Sequence, residues 1–352
     1  MRALATIETI KDLQPIKGAD RIEVATVRGW KVVVGKGLYK VGDLCVYHEI
    51  DSLCPNVDPY AKDLIKLNLR DSLNEETNEI VQGYLIKTMS LKKQISQGYC
   101  VPLTVYSEDM QKTFQEYLAQ NTNDVTSLLG ITLYNKPEIS AEFSSTSPRN
   151  YVPSTSLTRV QNILSTVWDY YLNDEVFEVT VKLDGTSISV INHPEFKGVA
   201  SRNNIISAEA KESKYNLAGT PILERIPEGY SLQGELIGPK IQGNFEGVVE
   251  NTVYVYNVLN GFEYLSPEAV KEFCLNSRLN YVTVLGYFTL KEFIKTAINT
   301  PEELLEAILK LADGPSSLNG QYREGLVFKS LSNSQNRFKV ISNKYLLGEK
   351  HD

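Results

Sequence analysis

The stretch Phe177-Glu178-Val179-Thr180-Val181-Lys182-Leu183-Asp184-Gly185 holds the most reactive arrangement in the chain. Its apolar and polar residues alternate up to the glycine, the period of a half-buried strand. Phe177, Val179, Val181 and Leu183 should face a core, and Thr180, Lys182 and Asp184 the opposite space. Lys182 and Asp184 would then stand roughly 7 Å apart along the strand. Gly185 ends the run and lets the backbone turn or come close to a ligand. A lysine beside a carboxylate on a pocket-facing strand suits covalent nucleotidyl transfer, in which a deprotonated amine attacks phosphorus. Desolvation or a neighbouring cation would have to lower the lysine's pKa. A chain this long shows Lys-x-Asp-Gly by chance roughly one time in ten, so the motif needs partners.

Partners follow in order. Ser201-Arg202-Asn203 follows a turn and offers a fixed cation. Glu235, in Leu232-Gln233-Gly234-Glu235-Leu236-Ile237-Gly238, is flanked by glycines that leave room for a ligand. Tyr254 and Tyr256 share one strand face and suit either stacking on a base or core packing. Glu324-Gly325-Leu326-Val327-Phe328-Lys329 is a strand that starts with a carboxylate. On strict alternation Glu324 and Lys329 point to opposite faces, so only Glu324 is assigned to the site. Arg337-Phe338-Lys339-Val340 sets two cations on one face, as phosphate binding requires.

Two domains should position these groups in a chain of 352 residues. The first third reads as short strands with glycine turns. Ile22–Val27 and 30–34 flank an Arg28-Gly29 break, Lys40–Asp43 forms a turn before 44–50, and strands follow at 84–87 and 98–103. This predicts a small β-barrel; Val41-Gly42-Asp43 before an apolar strand is similar to OB-fold RNA-binding modules. Residues 104–123 read as helical or irregular. Residues 135–150, with Pro137, Pro148 and Ser144-Ser145-Thr146-Ser147, have linker composition. Beyond them, Val160, Ile163, Leu164, Val167 and Tyr171 fall on one helical face. A second helix is expected over 208–217, and a third behind Thr300 as N-cap, with Pro301, Glu303 and a closing Gly314. Strand signals run throughout this half, so the fold class is α+β.

Composition narrows the class. The cysteines Cys45, Cys54, Cys100 and Cys274 show no metal-ligand spacing and read as reduced thiols of a cytoplasmic protein. With only His48, His193 and His351, a histidine-ligated metal or catalytic histidine is disfavoured, whereas hard metals held by carboxylates and phosphates fit. No apolar run spans a bilayer, and Met1-Arg2-Ala3-Leu4-Ala5 leads straight into polar residues, which argues against a signal peptide or anchor. A net charge of −7 argues against mere coating of nucleic acid. The stretch from Gln321 to Lys350 is nonetheless basic, with Arg323, Lys329, Arg337, Lys339, Lys344 and Lys350 against Glu324 and Glu349.

The ordered series Lys-x-Asp-Gly, Arg, Gly-Glu, tyrosine strand, Glu-Gly-x-Val-x-Lys and basic pair resembles the motif series of the covalent nucleotidyltransferases. It looks most like the ATP-dependent RNA ligases with an N-terminal OB-fold domain. Tyr151-Val152-Pro153 through Arg159-Val160-Gln161-Asn162 looks like the segment preceding their nucleophile. Arg337 to Tyr345 looks like their last motif, and the chain stops too soon after it for a C-terminal OB domain. Arg337 stands where lysine is usual, and the segment before Arg159 lacks acidic residues often found there. The resemblance implies an OB-like domain over 1–135, a linker over 136–150 and an antiparallel-sheet nucleotidyltransferase domain with helices over 151–352.

By that resemblance, Lys182 takes AMP from ATP with Mg2+ or Mn2+, and passes it to an RNA 5′-phosphate before a 3′-OH seals the strand. Asp184 and Gly185 would lie at the nucleotide. Arg202 would contact the ribose or the RNA end, and Glu235 the ribose or metal waters. Tyr256, or Tyr254, would stack on adenine. Glu324 and Glu235 would serve the metal, Arg337 and Lys339 the triphosphate, and Arg159, Gln161, Asn162 and Arg202 the RNA. The partner implied is RNA with 3′-OH and 5′-phosphate ends, as a nicked duplex in RNA repair, acted on by a monomer. A DNA ligase, a capping guanylyltransferase and a non-catalytic OB-fold RNA-binding protein are the competing readings.

Overall fold

Apolar alternation organises the N-terminal unit into strands that curl around two small cores. The computed structural model describes residues 2–74, 77, 79–137, 140–144, 146–318 and 322–348. The chain divides into two compact units, Met1–Pro137 and Glu138–Asp352. In the first, the long strand β1 (Ala5–Pro15) pairs on one side with β2 (Ile22–Val27), which continues into β3 (Trp30–Gly35). On its other side it pairs with β4 (Leu44–His48). Arg28 takes a left-handed φ of 54° at the β2–β3 turn, where the sequence placed its hairpin break. A second sheet holds β5 (Ser52–Pro55), β6 (Arg70–Leu73) and β7 (Ile80–Leu85). The hairpin β8 (Thr88–Leu91) and β9 (Gln94–Gln97) precedes β10 (Tyr99–Pro102), which returns to pair with β4. The short β11 (Thr132–Leu133) closes on β5. The one-turn helix α1 (Tyr60–Asp63) and α2 (Glu108–Ala119), capped by Ser107, complete an OB-like barrel unit. Strands β1, β5, β6, β8, β9 and β11 lay outside the sequence reading; β1 carries too little strict alternation to announce itself.

Two antiparallel sheets build the second unit. The first has the order β19-β12-β20-β21, from β12 (Val176–Lys182), β19 (Val284–Thr289), β20 (Gly325–Ser330) and β21 (Arg337–Ile341). The second contains β13 (Thr186–His193), β14 (Phe196–Ala200), β15 (Tyr230–Ile237), β16 (Thr252–Asn260) and β17 (Glu263–Tyr264). The two-residue β18 (Asn280–Tyr281) joins β16 in parallel. Behind the first sheet pack α3 (Leu164–Leu172), α6 (Leu290–Ile294) and α7 (Pro301–Ala312), burying Phe177, Val179, Phe328, Phe338 and Val340. Behind the second pack α4 (Lys214–Leu223) and α5 (Pro267–Asn276). The last helix, α8 (Asn343–Leu347), follows β21. Among the described residues no helix is long and apolar enough to cross a membrane.

Local signals held where caps were explicit and slipped where they were not. Thr300 accepts from the Glu303 N–H at the start of α7, as expected. The helix expected over 208–217 instead runs over Lys214–Leu223. Asn216 donates to the carbonyls of Ser207 and Ala210, which holds the preceding residues in turns and leaves Ser213 as the cap. The residues of linker composition are engaged: Asn135 N–H donates to Ser72 Oγ in the first unit, and in the second Phe143 bridges to Ile206 and Ser144 N–H donates to Ile205 O at 2.8 Å. Residues 138, 139 and 145 of that stretch, and Gln321, Glu349 and Lys350 of the basic tail, lie outside the described residues.

Candidate active site

Lys182 ends β12 in one sheet and Thr186 begins β13 in the other, so Leu183-Asp184-Gly185 is the crossing between them. A Cβ on Gly185 would sit 2.4 Å from Leu236 O and 2.7 Å from the Ile237 side chain. The missing side chain therefore admits the neighbouring strand β15. A cavity of about 230 Å³ opens between the inner faces of the two sheets. Alternation delivers its wall: Thr180 and Lys182 from β12, Val327 and Lys329 from β20, and Arg337, Lys339 and Ile341 from β21.

Cations dominate this wall. Lys182, Lys329, Lys339, Arg159, Arg202 and Arg337 all line it. Arg159 is brought there because its segment runs alongside β21, with a bridge to Lys339 and a Lys339 N–H to Thr158 O bond of 2.9 Å. Burial, then the charges of Lys182, Arg159 and Arg202, push Lys339 down to about 7. Arg337 lies 3.6 Å above the Tyr264 ring and donates to Asn257 Oδ1 at 3.5 Å. Lys329 donates to the Tyr256 carbonyl. Burial brings its pKa down to about 8, against the pull of Glu178.

Carboxylates gather around the nucleophile. Lys182 Nζ lies 2.6 Å from Glu324 Oε2. Burial pulls the Lys182 pKa down, but Glu324, Glu235 and Asp184 outweigh it and leave the ammonium above its usual range. That reverses the expected lowered pKa, because three acids remote in sequence from one another converge on the ammonium. Burial, then Glu324, raises Asp184 to about 6. Burial raises Glu235 to about 7, against the pull of Lys182. Beneath the crossing, the buried Glu246 accepts the Asp184 N–H at 3.1 Å and the Ser316 hydroxyl at 3.1 Å.

Of the residues singled out from sequence, Lys182, Arg159, Arg202, Glu235, Tyr256, Glu324, Arg337 and Lys339 come together on the cavity wall. Asp184 is not on that wall; its N–H is held by Glu246 at 3.1 Å. Tyr254 does not line the wall, although it and Tyr256 pack against the same cluster of Val181, Leu183, Ile237 and Val282. Gln161 is buried and neither it nor Asn162 lines the wall; the segment before the nucleophile presents Ser154, Thr155, Ser156, Leu157 and Arg159 to the cavity. Lys329 was excluded by alternation, yet it shares the cavity with Glu324. Glu324 precedes β20, and the strand period does not govern it. Arg323 is no phosphate ligand: its Nε donates to Ala312 O at the end of α7. Glu246 carried no sequence signal as a site residue, since only the chain crossing places it, and Tyr345, the end of the last motif, was given no role although it lines the wall.

A family model described as RNA ligase matches residues 175–341, and an OB-fold domain model matches residues 4–103. A comparison with curated proteins finds no significant match. Among solved structures, the Naegleria gruberi RNA ligase with PPi is similar at 32% identity and a TM-score of 0.75, covering 99% of both chains. A mutant of that ligase with ATP and Mn matches at 32% identity and 0.76, covering 99% of this chain and 100% of the other. Another mutant, with AMP and Mn, matches at 32% and 0.72, over 99% of each. The chain belongs to this family, the ATP-dependent RNA ligases with an N-terminal OB-fold domain.

Proposed function

We propose that the enzyme joins an RNA 3′-OH to a 5′-phosphate through a covalent lysyl-AMP and an RNA-adenylate. The observation that carries this reading is Lys182 Nζ on the wall of a cation-lined cavity, 2.6 Å from Glu324. Lys182 Nζ attacks the α-phosphorus of ATP, pyrophosphate leaves, and AMP remains as a phosphoramidate. The RNA 5′-phosphate then takes the AMP, and the 3′-OH displaces it. Each transfer depends on holding phosphates in line and neutralising their charge. Lys339 and Arg337 stand ready for the triphosphate, and Arg159 and Arg202 for the ribose or RNA end. Tyr256, held by Lys329 through its carbonyl, offers a ring for adenine.

The donor set fits a hard divalent cation, Mg2+ or Mn2+. Among the described residues no three acidic, histidine or cysteine side chains form a cage, and such ions take most ligands from phosphate and water with one or two carboxylates. Glu324 and Glu235 would hold it, and it would supply charge neutralisation and relieve Lys182 of the acids that keep its proton. The substrate is a nicked duplex, and the enzyme acts as a monomer in RNA repair. The buried free cysteines suit a reducing, cytoplasmic setting.

Incubation with labelled ATP, GTP or NAD followed by denaturing electrophoresis tests the first step. Label should come from ATP alone, and Lys182→Ala should carry none; retained label on that variant sinks the assignment. Four nicked duplexes differing in the sugars at the break test the substrate. Deoxynucleotides on the 3′-OH side should slow sealing more than on the 5′-phosphate side, because the 2′-OH is how a protein tells RNA from DNA at one position. A preference for all-DNA nicks would instead point to a DNA ligase.

A further inference from the structure

The OB-like unit carries a feature that ATP chemistry does not use. Between Glu79 and Glu108 the sequence has no acidic residue, and its charged side chains there are Lys87, Lys92 and Lys93. All three are exposed. Lys92 and Lys93 form the two-residue turn between β8 and β9, since Leu91 pairs with Gln94. Their φ angles are 53° and 63°, so both occupy the left-handed region. A turn of this kind strongly favours Asn-Gly, because L side chains there crowd the backbone. Lysine is a poor conformational choice at both positions, and local strain of this sort marks sites where the side chain itself is needed.

The hairpin is fixed at its base and exposed at its tip. Ile95, Ser96 and Gln97 are buried. Ser96 Oγ accepts the Val33 N–H at 2.9 Å, and the Tyr47 hydroxyl donates to Gln97 O at 2.9 Å. Among the described residues, no carboxylate pairs with Lys87, Lys92 or Lys93. Lysines placed along a sheet edge can simply block edge-to-edge pairing, but turn residues do not cover an edge. A rigidly based hairpin that ends in two unpaired ammonium groups is suited to a polyanion.

We propose that the β8–β9 hairpin is an RNA-backbone contact of the OB-like unit, with Lys92 and Lys93 at its tip on phosphates. This deepens the ligase reading and rests on it for the identity of the polyanion. Phosphate contacts of this kind carry no sequence preference and show as a salt-dependent affinity.

The test replaces Lys92→Asn and Lys93→Gly together in the full chain and measures binding of a nicked RNA duplex by fluorescence anisotropy between 50 and 200 mM salt. Stability and function should move apart. The melting temperature should hold or rise, since Asn-Gly relieves the turn. RNA affinity at 50 mM salt should fall about tenfold, and the slope of log affinity against log salt should become shallower by about 1.5 for two lost contacts. Lys92→Arg/Lys93→Arg should bind as wild type, and Lys92→Glu/Lys93→Glu should bind more weakly than the Asn-Gly variant. Labelling of Lys182 by ATP should be unchanged in all of them. An unaltered affinity and salt slope in the Asn-Gly variant, or wild-type binding by the Glu-Glu variant, would overturn the proposal. Failure of the wild-type protein to form a lysyl adduct would instead count against the ligase mechanism and leave the binding result to be read alone.

Discussion

Lys339 carries the sharpest conflict between stability and use. Its folded pKa of about 7 lies below the ordinary 10.5, so between those values the unfolded chain binds a proton that the folded protein does not. Stability contributed at this site therefore rises with pH from about 7 to 10.5. Lys339→Met should remove that slope and raise the melting temperature at pH 7. It should also slow lysyl-AMP formation about 10²–10³-fold, the usual effect of removing one charge-stabilising donor. Glu235 has the opposite sign. Its pKa is raised from 4.5 to about 7, so the folded state holds the extra proton and stability falls as pH rises across that window. Glu235→Gln should flatten this fall. Melting curves taken from pH 4.5 to 10 on both variants check the two slopes.

At the scale of elements, two contacts hold the nucleophile in register. A Cβ on Gly325 would come within 2.1 Å of the Val340 carbonyl on the paired strand β21. Backbone there cannot move without opening the ladder, so Gly325→Ala should cost about 2–3 kcal/mol, measured by urea denaturation. The crossing between sheets depends on Glu246. Glu246→Leu strands the Asp184 N–H and the Ser316 hydroxyl, a cost of about 1–3 kcal/mol. Single-turnover labelling should show a lower adenylylation rate with little change in the ATP concentration required. Glu246→Gln keeps an acceptor oxygen for the Asp184 N–H and should recover most of that rate. If the glutamine variant is as slow as the leucine one, the negative charge matters and the hydrogen bond does not.

For the whole molecule, every nucleotidyltransferase motif lies in the second unit, so a fragment should separate the steps. Phe143 and Ser144 pair with Ile206 and Ile205, which sets the cut: the fragment should begin near residue 140, not at 150. It should form lysyl-AMP at about the full-length rate and seal nicked RNA poorly, read by denaturing gels of both products. A fragment begun at 150 loses that strand pairing and should melt earlier. Sealing at the full-length rate by the 140–352 fragment would remove the OB-like unit from RNA engagement.

What the sequence alone determined is the chemistry and its order along the chain. Lys182, Glu235, Glu324, Arg337 and Lys339 were legible because a strand of period two, a glycine beside a carboxylate and a pair of cations two residues apart are local patterns, set by backbone geometry within a few residues. The cap of α7 was legible for the same reason. The tertiary structure decided what no local period encodes. It set which acids crowd Lys182 and so reversed the expected direction of its pKa. It placed Lys329 in the same cavity as Glu324, and set Tyr256 but not Tyr254 on its wall. It also brought Glu246 beneath Asp184 across 62 residues of chain. These are contacts between segments remote in sequence. Their free energy depends on burial and on distances that exist only once the two sheets have closed on one another.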